Sequence, residues 1–72
     1  NRNETYSIME KKILYNVLKA ISNGESGHRQ APDGNYIKSL QELGLISIDW
    51  DIKLTVFGNE MYSWLRNQLE KW

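Results

Sequence analysis

The only histidine of the chain, His28, stands beside Arg29 in the run Gly27-His28-Arg29-Gln30. An imidazole next to a guanidinium on a glycine-bearing loop is chemistry suited to holding a phosphate. It is not a nucleotide P-loop, because no Gly-Lys-Ser/Thr follows and no strand precedes; a solvated loop accounts for the same residues. Nucleophilic catalysis finds little footing. There is no cysteine for His28 to activate, and no serine stands in a nucleophile-elbow context. One histidine and no cysteine leave only carboxylates as metal ligands, and none of them falls at ligand spacing. These residues argue against an enzyme, a metal site and a bound cofactor.

Groups that recognise rather than react are more numerous. Asn35, Lys38, Ser39, Gln41 and Glu42 fall on the outer face of a predicted helix. Asn, Lys and Gln can read base edges in a major groove, with Asn and Gln pairing to adenine, although any surface helix carries such residues. Trp50 stands between Asp49 and Asp51, with Lys53 just behind. Two carboxylates repel a phosphate backbone, while a tryptophan is the kind of side chain that anchors a protein interface; the alternative is that Trp50 folds back onto its own strand pair. Tyr62, Trp64, Leu69 and Trp72 give the last predicted helix more apolar surface than one face can bury. Lys11, Lys12 and Lys19, set among Glu4 and Glu10, read as a solvated face.

Seventy-two residues make one domain. A chain this short buries only about 60 % of its unfolded surface, so the core must be used efficiently. Without cysteine no disulfide helps, and an intracellular, cytoplasmic setting fits. No apolar run approaches the ~20 residues of a membrane helix, and no signal-peptide pattern opens the chain. Nine basic residues balance nine acidic ones. A dedicated nucleic-acid binder usually carries a basic excess, because phosphate contacts supply most of its affinity.

Residues 1–5 read as frayed. Ser7-Ile8-Met9-Glu10 then has the form of a capping box. Met9, Ile13, Val17 and Ile21, with Leu14 and Leu18 beside them, recur at helical spacing until Asn23-Gly24. The stretch 23–33 holds the only proline and little that can be buried, so it reads as a long surface loop. Asp33 is placed to cap a second helix over 34–43, with Ile37, Leu40 and Leu43 as its buried stripe and Gly44 as its stop. Ile46, Ile48, Trp50, Ile52 and Leu54 alternate with polar residues. Period two predicts a hairpin turning through 49–51, with Ile48 across from Ile52, Ile46 across from Leu54, all four pointing inward, and an Asp in the left-handed turn position. Thr55 caps the last helix, whose predicted stripe is Phe57, Met61, Trp64 or Leu65, Gln68 and Trp72, with Tyr62 and Leu69 flanking it.

The residues Leu40-Gln41-Glu42-Leu43-Gly44-Leu45-Ile46 followed by Leu54-Thr55-Val56-Phe57-Gly58 resemble the Leu-x-x-Leu-Gly-Leu-Ile … Leu-Thr-x-x-Gly pattern of winged-helix domains, such as those of many bacterial regulators and small phage- or prophage-encoded proteins. The resemblance covers residues 40–58. It implies a small α+β domain ordered helix, loop, helix, β-hairpin, helix, in which 34–43 is the DNA-reading helix, the hairpin is the wing and the terminal helix often forms a dimer contact. One departure stands out. The family carries two helices between the first helix and the wing, and here there is room for only one beside the 23–33 loop. The missing helix normally braces the reading helix.

Two functional expectations follow. The first is a transcription-regulating module that contacts DNA through Asn35, Lys38, Ser39 and Gln41, assisted by His28, Arg29 and Lys53, as a homodimer. The alternative is a protein-interaction module using the acidic wing 49–51 and the last helix, with Trp50, Tyr62, Leu69 and Trp72 as contacts. Neither involves a membrane.

Overall fold

Residues 2–22 contain no proline and no glycine, so nothing in them interrupts a helix once it has started. The structure, a computed structural model, describes the backbone of residues 2–70 and the side chains of residues 10–70. Helix α1 spans Arg2–Ser22. It therefore begins well before Ser7, which lies within the helix rather than at its start, and residues 2–5 are helical. At 21 residues it is about 31 Å long, and its C-terminal half packs on the rest of the chain, with Val17, Leu18, Ala20 and Ile21 buried. Gly24 ends it: the Gly24 N–H donates to the Ile21 carbonyl at 3.0 Å and the Glu25 N–H to the Ala20 carbonyl at 2.9 Å, the paired bonds of a Schellman motif.

Among the described residues, 23–35 contain no α-helix. A single turn closes over Gly27, whose carbonyl accepts from the N–H groups of Gln30 and Ala31. Helix α2 is short, Tyr36–Glu42, rather than 34–43. Asp33 does not cap it. Its Oδ1 accepts instead from the Asn35 N–H at 2.8 Å, a local turn that competes with the helix for the side chain. Ile37 and Leu40 are buried, but Leu43 is exposed. On a helix of 3.6 residues per turn, Leu43 lies about 120° round from Ile37. Its place in the core is taken by Leu45, because Gly44 adopts φ +81° and turns the chain back inward. The Leu45 N–H reaches the Leu40 carbonyl at 3.0 Å.

Strands β1 (Ile46–Ile48) and β2 (Ile52–Leu54) form the one antiparallel sheet among the described residues, with Ile46 opposite Leu54, Ser47 opposite Lys53 and Ile48 opposite Ile52. The expected register holds. The expected depth holds at Ile46, which is buried, and at Ile52 and Leu54, which pack against the core in part, but not at Ile48: exposure climbs along β1 from 2 % at Ile46 to 41 % at Ile48 and reaches 95 % at Trp50, because the hairpin leaves the body as it rises. The turn is closed by the Asp49 N–H on the Asp51 carbonyl at 3.1 Å, and neither Asp is left-handed.

Helix α3 spans Val56–Glu70. Thr55 caps it: its Oγ1 accepts from the Gly58 N–H at 3.0 Å and donates to the Gly44 carbonyl. The Thr55 N–H also donates to the Leu45 carbonyl at 3.1 Å. Gly58 lies directly on that carbonyl, and a Cβ there would sit 1.9 Å from the Leu45 oxygen. The Leu-Thr-x-x-Gly run is thus a docking device that fixes the start of α3 against the exit from α2. Among the described residues the core consists of Val17, Leu18, Ile21, Ile37, Leu40, Leu45, Ile46 and Leu65. Between the two sequence options, Leu65 is the buried one, while Trp64 and Phe57 remain about half exposed.

Candidate functional site

Trp50, at the hairpin tip, is the most exposed of the large hydrophobic side chains described. Trp50 does not fold back on the strands; its ring lies almost wholly in solvent. Ser47, Asp49, Trp50, Asp51, Lys53 and Leu54 line one shallow hollow. Two carboxylates and one ammonium leave this surface with a net negative charge. The Asp49–Asp51 backbone bond closes the turn that carries the indole and both acids.

The residues expected to face DNA are all solvent-accessible. Asn35, Lys38, Ser39 and Gln41 are exposed on or just before α2, Lys53 on β2, and His28 and Arg29 in the loop. They sit on three separate stretches of chain, and Lys53 and Lys38 have acids nearby. Lys53 shares its hollow with Asp49 and Asp51, and Glu42 follows Lys38 one turn later on the same helix. The Ser39 hydroxyl donates to the Asn35 carbonyl at 3.0 Å, and the His28 N–H leans on Ser26 Oγ at 3.4 Å. At seven residues, α2 is only about 10 Å long.

The terminal helix divides differently from expectation. Tyr62 and Leu69 are half-buried toward the body, and Tyr62 stacks on Tyr15 of α1 with ring centroids 5.5 Å apart. Trp72 lies outside the described residues. The exposed aromatics of α3 are Phe57 and Trp64, which with Glu60 and Met61 line a shallow hollow on its outer side. Lys11 Nζ sits 5.3 Å above the Trp64 ring and Lys19 Nζ 5.9 Å above Tyr15, so two of the α1 lysines expected to be merely solvated rest on aromatic faces. Sequence periodicity could not separate Phe57 and Trp64 from the core stripe. The signal that could have done so was the glycine at 58, which marks the side of α3 pressed against backbone.

A groove of about 490 Å³ runs between α1 and the 23–35 loop, lined by Glu10, Lys11, Ile13, Leu14, Pro32 and Tyr36. Burial, and then the Glu10 carboxylate, push the Tyr36 hydroxyl above its ordinary pKa, so it is a neutral hydrogen-bonding group rather than a base. Burial, followed by the neighbouring Tyr15, raises Tyr62 in the same way. Among the described residues, no group of three or more His, Asp or Glu side chains could hold a metal ion, and no helix is long and apolar enough to cross a membrane. No protein-family model, curated protein or solved structure matches the chain.

Proposed function

We propose that the chain is a winged-helix-like interaction module that engages a protein partner through Asp49, Trp50 and Asp51. The observation that carries this reading is the near-complete exposure of Trp50 at the tip of a hairpin whose other end is buried. Leaving so large an aromatic in water forgoes several kcal/mol of burial, roughly 3 or more. Interfaces recover that energy, and tryptophan is among the residues that anchor them. The flanking acids name the partner's chemistry. A guanidinium can stack on the indole while pairing with a carboxylate, so the partner presents an arginine-bearing segment.

The competing reading is a DNA-contacting regulator, supported by the exposure of Asn35, Lys38 and Gln41 on and beside α2. Against it stand the acidic wing, the reduction of the bracing helix to one turn, and a net charge of zero.

The test is a titration of isotope-labelled protein with a short arginine-rich peptide and, separately, with duplex DNA, both at low salt, where charge attraction is strongest. The peptide should move the amides of residues 47–54 and the Trp50 indole. Trp50→Ala should weaken that binding by about 30-fold or more, the loss typical of a central aromatic. Hairpin amides that ignore the peptide refute the proposal. Shifts confined to α2 on adding DNA would replace it with the DNA reading.

A further inference from the structure

Strand β2 has an outer edge whose backbone groups find no partner in this chain. In the hairpin the Thr55 N–H donates to the Leu45 carbonyl and the Asp49 N–H to the Asp51 carbonyl, both at 3.1 Å. Bonded pairs alternate along an antiparallel ladder, so Ser47 and Lys53, which lie opposite each other between them, form the third bonded pair. Ile46, Ile48, Ile52 and Leu54 then aim their N–H and C=O groups away from the hairpin. No backbone group among the described residues meets those of Ile52 and Leu54. The matching edge of β1 is shut at its base, where Ile46 is only 2 % exposed, whereas Ile52 and Leu54 are both partly open to solvent. Such an edge is a template for an extended segment of another chain. Building on the hairpin reading above, we infer that the partner's arginine-bearing segment adds to β2 as a third, antiparallel strand.

The register assigns side chains to that segment. Residues directly opposite one another across a ladder share a face. Those opposite Ile52 and Leu54 extend the side that packs against the core and are apolar. The one opposite Lys53 lies on the exposed face, where a cation would be repelled, and is polar but not basic. The one opposite Asp51 is the arginine, which there lies one position from Trp50. From N- to C-terminus the segment therefore reads apolar, polar, apolar, arginine. A second copy of this chain does not fit. Two β2 strands exchanging bonds through Ile52 and Leu54 would set Lys53 against Lys53, and like charges directly opposite destabilise a sheet.

The probe is the peptide acetyl-Val-Thr-Val-Arg-amide, titrated into the isotope-labelled whole chain at low salt. At about ten times the dissociation constant, exchange of the Ile52 and Leu54 amide hydrogens should slow by about tenfold. N-methylation of either valine removes a donor aimed at β2 and should weaken binding by about fivefold or more. N-methylation of the threonine, whose N–H points away from β2, should change it by less than about twofold. The protein itself is unaltered in each arm, so no result turns on a variant that fails to fold. If the arginine-rich peptide moves Trp50 while the Val-Thr-Val-Arg peptide leaves amide exchange at Ile52 and Leu54 unchanged, the pairing is overturned and the hairpin reading stands. Equal losses from methylating the valines and the threonine overturn the pairing too. If neither peptide moves residues 47–54, the hairpin reading falls and the third strand with it.

Discussion

Gly58→Ala tests the way this fold is locked together. On an ordinary helix the change stabilises by up to ~1 kcal/mol through helix propensity. Here the added methyl would lie 1.9 Å from the Leu45 carbonyl oxygen and 2.9 Å from its carbon, where Cβ contacts below 3.0 Å essentially do not occur. The start of α3 would have to retreat by roughly 1 Å or more, and the obstacle is backbone, which does not rotate away. Overpacking of this kind costs about 1–3 kcal/mol or more. The retreat also stretches the Thr55 bonds to Gly44 and Leu45, each worth about 1 kcal/mol. Set against the propensity gain, the net loss is about 3 kcal/mol. A domain of this size loses about 4–8 °C per kcal/mol, so the melting midpoint should fall by roughly 10–25 °C. Two other glycines serve as controls. Gly34 has open space around it, and Gly34→Ala should change stability by less than about 1 kcal/mol. Gly44 also has open space but φ +81°, so Gly44→Ala should cost about 1–2 kcal/mol from conformation alone. Denaturant unfolding followed by far-UV circular dichroism ranks the three. A Gly58→Ala protein as stable as the wild type would mean that α3 does not rest on Leu45, and the reasoning from close approach would fail.

Ile46→Ala should cost about 2–4 kcal/mol and Ile48→Ala less than half of that, because the two share a strand face but only Ile46 reaches the core; equal losses would refute the outward rise of the hairpin. Tyr36 and Tyr62 both have pKa values raised above the ordinary value of 10.0 in the folded chain. A folded state that holds its phenolic protons more tightly is unaffected below pH 10 and loses stability as the pH climbs through the folded pKa values, since the unfolded chain binds fewer protons there. Ultraviolet titration should therefore show at least two tyrosines ionising late, and denaturant midpoints should fall above pH 10. Four tyrosines titrating together at the ordinary value would remove both local causes.

Much of the architecture was written in local signals that act at short range. Period two in residues 46–54 forces a hairpin register, because a slip of one residue would turn every isoleucine outward; Ile46 does face Leu54. Gly24 and Gly44 stop their helices where the sequence places them, and Thr55 caps where its hydroxyl can reach a free N–H. What failed was of a different kind. Ser7 had the right neighbours for a cap, but nothing in residues 2–6 prevents helix, and a cap forms only where a helix must begin. Asp33 had the right chemistry, yet its carboxylate is satisfied two residues on.

The site was harder to read for the same reason that Ile48 was misplaced. Alternation says which face a residue is on; it does not say how far along that face the body extends. Ile46, Ile48 and Trp50 obey one periodic rule and meet three environments, because the hairpin grows away from a core that Ile46 enters, Ile52 and Leu54 still reach in part, and Trp50 leaves behind. On α3, Trp64 and Leu65 are adjacent in sequence and both apolar, and the seat of Gly58 on Leu45 favours the rotation that turns Leu65 inward. Once that contact fixes the rotation of the helix, Leu65 fills the core and Phe57 and Trp64 are left outside. Among the described residues the exposed aromatics thus fall into two groups with separate origins, one set by how far a hairpin rises and one by how a helix is clocked. Trp50 and the Phe57–Trp64 row can accordingly be tested by independent substitutions, without either disturbing the residues that hold the fold.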